Sequence, residues 1–81
     1  MANSYKDLKY IVTFESLSND EAAIAAFASW ADAVDFLNHK AVEEKQLNGC
    51  FRVDYDEGIV TCWLDPSQPD DRDVYRIRKP L

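Results

Sequence analysis

Cys50-Phe51-Arg52-Val53-Asp54-Tyr55 and Ile59-Val60-Thr61-Cys62-Trp63-Leu64 stand on either side of Asp56-Glu57-Gly58, and this passage decides the fold. Both flanks are rich in β-branched and aromatic residues that alternate with polar ones, and Gly58 supplies the backbone freedom a tight turn demands. A two-residue Glu57-Gly58 turn sets Phe51 opposite Leu64, Val53 opposite Cys62 and Tyr55 opposite Val60, all facing inward. The other face then pairs Arg52 with Trp63 and Asp54 with Thr61. A three-residue turn shifts the register by one and carries Trp63 inward, so the burial of Trp63 separates the two.

Upstream of the hairpin, Ser29 to about Gln46 has helical periodicity, with Trp30, Ala33, Val34, Leu37 and Ala41 on one stripe. Ser29 followed three residues later by Asp32 resembles a capping box, and Leu47-Asn48-Gly49 ends the helix at a residue suited to a left-handed cap. Asp32, Asp35, His39 and Glu43 fall on the opposite stripe. Further upstream, Lys9 to Glu15 reads as a strand with Tyr10, Val12 and Phe14 on its core side. Glu21 to Ala28 is ambiguous: its five alanines favour helix, but a helix begun at Ser18 would run about 28 residues, or about 42 Å, too long for so small a domain. The reading taken is a return strand.

Downstream, Pro66 to Asp71 is polar and twice interrupted by proline, hence an exposed loop. The tail Val74-Tyr75-Arg76-Ile77-Arg78 alternates and is able to add an edge strand. The expected fold is therefore α+β: a three- to five-stranded antiparallel sheet in the order ββαββ, with an optional C-terminal strand and one helix packed on one face. Residues 1–81 are read as one domain, because 81 residues suffice for one core and not for two.

Composition narrows the function. The chain carries 15 acids against 9 bases, a net charge of −6. The imbalance is concentrated within residues 10–71, where 13 acids face only Lys40, Lys45 and Arg52, a balance of −10. The two ends are basic. Such a body repels nucleic acid and is drawn to basic protein surfaces. No apolar run approaches the length of a membrane span and the first residues have no signal-peptide core, so cytoplasm is the expected compartment and no membrane the expected partner. Cys50 and Cys62 read as buried, reduced thiols, a disulfide being the alternative.

Catalytic patterns are weak. Asp32, Asp35, His39 and Glu43 superficially form a metal array, but such arrays need ligands from a second helix, so a solvated helix face is the better reading. Asp54 with Asp56, or Asp70 with Asp71, would serve acid–base chemistry only inside a cleft that nothing here builds. Cys50 or Cys62 with His39 lacks a nucleophile's context, and two glycines make no phosphate loop. No enzyme, metal or other cofactor is expected. A nucleic-acid stacking platform is also disfavoured, because the aromatics fall on the helix-covered face and only Arg76-Ile77-Arg78-Lys79 is basic.

There remain the acids themselves. Asp32, Asp35 and Glu43 on the helix, Asp54, Asp56 and Glu57 in the hairpin, and Asp70 and Asp71 in the loop are candidate partner-binding residues, with Trp63 beside Arg52 as an anchor. If several share one face they imitate the phosphates of a duplex. A compact acidic chain of this length, with a sheet, one helix and no catalytic signature, resembles in style the small phage-encoded inhibitors of host machinery, such as anti-CRISPR proteins and inhibitors of host RNA polymerase. The resemblance extends loosely over the whole chain and carries no residue over. It implies a binding protein, monomer or homodimer, that blocks a basic, nucleic-acid-handling host protein. The alternative expectation is a small self-assembling or regulatory interaction module.

Overall fold

The computed structural model describes residues 8–79. Its elements are β1 (Tyr10–Ser16), β2 (Asn19–Phe27), α1 (Trp30–Gln46), β3 (Arg52–Asp56), β4 (Ile59–Trp63) and β5 (Arg72–Arg78). The strands form one antiparallel sheet in the order β2-β1-β5-β4-β3, with α1 across one face. The α+β fold and the strand reading of residues 21–28 both hold.

Hairpin register follows the two-residue turn: Arg52 pairs with Trp63, Val53 with Cys62, Asp54 with Thr61 and Tyr55 with Val60. Gly58 is indispensable there for two reasons. Its φ is +72°, and a Cβ would stand 2.9 Å from the Trp30 ring. Trp63 lies on the outer face, stacked against Arg52, as that register requires. One expectation fails at the start of the hairpin. Alternation places Phe51 inward opposite Leu64, but its N–H donates to the Trp63 carbonyl although Arg52 is Trp63's ladder partner. Two residues thus oppose one, as in a β-bulge, and the alternation slips. Cys50 takes the core position and Phe51 is 49% exposed.

A second correction concerns β5. The tail is expected at an edge, but it is the central strand, paired with β1 from Ile11–Arg78 to Glu15–Val74 and with β4 from Ile59–Arg76 to Trp63–Arg72. Its charged residues suggest an edge. The arginines instead lie on the outer face, where Arg76 meets Glu15 at 2.7 Å and Arg78 grips Glu21 at 2.7 and 2.9 Å. Val74 and Tyr75 are buried on opposite sides of the strand.

The helix begins as its sequence suggests. Ser29 is extended, and its Oγ accepts the Asp32 N–H at 3.1 Å. The Leu47 N–H donates to Glu43 O and Gly49 turns away at φ +71°. Ala33, Leu37 and Ala41 are buried against Val12, Val60, Cys62 and Tyr75. Trp30, expected in the core, is 37% exposed and lies at its edge, packed edge-on against Tyr10 at 5.8 Å. Phe27 and Phe36 close the β2 side at 5.3 Å.

Candidate interaction surfaces

The two sheet faces divide the candidate acids. Asp32, Asp35 and Glu43 are exposed on the side of α1 that looks away from the sheet. Glu43 is paired with Lys40 at 3.2 Å, while among the described residues Asp32 and Asp35 carry no ion pair. Asp32 sits in the first helical turn, where a negative charge complements the helix dipole. His39 Nδ1 is 2.9 Å from the Asp35 carbonyl oxygen, an ordinary turn-to-turn contact. No three His, Cys, Asp or Glu side chains among the described residues converge on a metal-holding position.

On the opposite face of the sheet, Asp54 is clasped by Arg52 through two hydrogen bonds of 3.1 and 2.8 Å. The Arg52 guanidinium lies 4.7 Å from the Trp63 ring centre, and Trp63 Nε1–H donates to the Pro69 carbonyl. Trp63 is thereby held as a half-buried plate between the hairpin and the proline loop. Asp56 caps its own turn, accepting the Glu57 N–H at 2.8 Å, and Glu57 borders a shallow pocket with Tyr10, Trp30 and Lys79. Asp70 approaches Arg72 at 3.9 Å, and Asp71 bonds through its backbone to Gln68 and Leu64. The helix acids and Asp54 therefore lie on opposite sides of the sheet.

The same face carries an arginine row that reads in the sequence as a basic tail. Arg76 and Arg78 are neutralised by Glu15 and Glu21, and Thr13 Oγ1–H also donates to Glu21 at 2.6 Å. The Arg78 hydrogen bonds, followed by that of Thr13, hold Glu21 down at about 2. A groove of about 280 Å³ lies beside the row, lined by Glu15, Leu17, Asp70, Arg72, Val74 and Arg76. Its charges balance, so this face is no phosphate track.

Under the C-terminal half of α1 lies a polar cluster with no counterpart in the sequence reading. Glu44 is 5% exposed; its Oε1 accepts the Tyr75 hydroxyl at 3.0 Å and its Oε2 has no hydrogen-bond partner. Burial, then the neighbouring Glu44 and Asp71 charges, pushes Asp73 up to about 6. Burial pushes the Cys62 thiol up to about 12 and the Tyr75 phenol above its usual range. Cys62 is thus a protonated, unreactive core thiol, and Cys50, also free, donates to the Arg52 carbonyl at 3.1 Å. The only sequence signal for the cluster was Glu44 following Ala33, Leu37 and Ala41 at helical spacing.

No helix among the described residues is long and apolar enough to cross a membrane. Comparison with models of protein families, with curated proteins and with solved structures finds no match to this chain.

Proposed function

We propose that this is a non-enzymatic binding protein whose acidic helix face engages a basic, nucleic-acid-handling protein, acting as a stoichiometric inhibitor of the anti-CRISPR or host-takeover kind in the cytoplasm of a host cell. The observation that carries the proposal is the helix stripe itself: Asp32 and Asp35 are exposed, project away from the sheet and carry no ion pair among the described residues. Acids that stabilise a fold are held as Glu15, Glu21 and Asp54 are, each against an arginine. Asp32 and Asp35 are left for a partner, with Glu43 only loosely committed to Lys40. Since Asp54 looks the other way, a basic groove would be filled from the helix side, with Glu57, beside Tyr10 and Trp30, at one end of that surface.

Charge reversal tests the proposal. Asp32→Lys with Asp35→Lys weakens partner binding by about 100-fold or more if both acids meet basic groups, and wild-type affinity falls with added salt. The Asn variants remove the charges without introducing repulsion and give an intermediate loss. Salt-independent affinity, or reversal without effect, defeats the proposal.

A further inference from the structure

The sheet order leaves β2 and β3 as its two edges. Nine-residue β2 bears Asp20 and Glu21 and carries a register shift around Ile24, between the Val12–Ala25 and Thr13–Ala23 pairs, a disruption that twists an edge away from further pairing. β3 is charged as well, through Arg52, Asp54 and Asp56, but its irregularity lies at Phe51, before the ladder begins. The strand is regular from Arg52 to Asp56, contains no proline or lysine, and is only partly covered by the helix: Val53 packs against the core, while Tyr55, also on the helix side, is 60% exposed.

Sequence and geometry around Val53 are self-complementary. Reading outward, Val53 is flanked by Arg52 and Asp54, of opposite charge, and then by Phe51 and Tyr55, both aromatic and both exposed. The closing pair of a two-residue hairpin, here Asp56 with Ile59, is hydrogen-bonded. Alternation then directs the backbone groups of Asp54 and Arg52 toward β4 and leaves those of Val53 and Tyr55 on the open side.

We propose that two copies of this chain pair antiparallel through β3 about a twofold axis at Val53, fusing their sheets into one of ten strands. Val53 meets Val53 of the second copy, and each Arg52 stands opposite the other copy's Asp54, twice over. Each guanidinium, already braced on Trp63, then lies between two carboxylates. Tyr55 packs diagonally over the second copy's Val53 on the helix side. Centring the axis on Asp54 instead would set Asp54 against Asp54 and Arg52 against Asp56, so charge selects Val53. The axis is perpendicular to the sheet, and both helices and their acidic stripes emerge on the same side. Dimerisation does not depend on the identity of any other partner.

Sedimentation equilibrium and a mixing experiment with charge variants test this arrangement. The wild type reaches twice its 9.3 kDa chain mass, and Arg52→Asp or Asp54→Arg each raises the dimer dissociation constant by about tenfold or more. Mixed in equal amounts, the two variants form a heterodimer, because the first carries carboxylates at both positions flanking Val53 and the second carries guanidinium groups at both. Pairing within a chain is not restored by mixing, so recovery reports contact between chains. As a second readout, amide exchange at Val53 and Tyr55 slows as wild-type concentration rises. A monomer at every concentration up to about 1 mM, or a dimer insensitive to both substitutions, overturns the proposal.

Discussion

Replacing Asp73 by Asn makes the protein more stable at neutral pH and flattens its dependence on pH. Asp73 faces the buried Glu44 beneath the helix, and its carboxyl is pushed up to about 6 from an ordinary 3.8, first by burial and then by the Glu44 charge. A group whose pKa is raised on folding penalises the native state while it is ionised. The penalty is full above about 6 and disappears as pH falls below 3.8. For a fully isolated site the difference corresponds to about 3 kcal/mol, but Asp73 keeps part of its surface in water, and screening reduces the expected figure to about 1 kcal/mol. A proton on Asp73 also supplies a donor beside the Glu44 carboxylate, whose Oε2 has no partner. Asn provides an N–H donor at every pH. Urea unfolding at pH 7 and pH 5 should show the wild type gaining about 0.5 kcal/mol on acidification, roughly half of the penalty, and the Asn variant showing no such gain because it is free of the penalty already at pH 7. Below about pH 4.5 the trend reverses, because Glu21, held at about 2 by Arg78 and Thr13, loses stabilisation as it is protonated. An Asn variant less stable than wild type at pH 7, or a wild type that weakens between pH 7 and 5, would refute the reasoning.

Three further outcomes follow from the packing. Tyr75→Phe deprives buried Glu44 of its hydrogen-bond donor and costs about 2 kcal/mol, and the cost shrinks in a Glu44→Leu background, as a double-mutant cycle by chemical denaturation would record. Gly58→Ala puts an L side chain at φ +72° against the Trp30 ring and costs about 1–2 kcal/mol, lowering the melting temperature by roughly 4–16 °C in a calorimeter. Cys62, its thiol pushed up to about 12, resists iodoacetamide at pH 8 in the native protein and reacts once the chain is unfolded in urea, as mass spectrometry would show.

The parts of the fold governed by local chemistry were readable in the sequence. Gly58 and the flanking alternation gave the hairpin register from Arg52–Trp63 to Tyr55–Val60, though not the Phe51–Leu64 pair, and Ser29 with Asp32 gave the helix start, because turn and cap preferences act over three or four residues. Placement of β5 was not readable. Its alternation suggested only that a strand could be added at an edge, and the partners Glu15 and Glu21, some sixty positions away, let its arginines lie on the face of a central strand. Phe51 turns outward because a single irregularity at Trp63 reverses the alternation, while Cys50 is buried as expected. Glu44 escaped notice because a glutamate on a helix is ordinarily solvated, and the Tyr75 hydroxyl that holds it inside comes from a strand 31 residues later. The candidate acids were identified correctly as exposed on the helix, but a list of acids holds no information about which side of the sheet each occupies. Asp54 and Asp32 could be set on opposite sides only once the pairing was known.

Affinity capture from a bacterial lysate, with wild type beside Asp32→Lys/Asp35→Lys, tests the proposed function most directly. Wild type is expected to retain a nucleic-acid-handling protein at low salt and release it at high salt, and the double variant to retain none. Retention of the same protein by both chains irrespective of salt, or recovery of nothing but the chain itself, would contradict it.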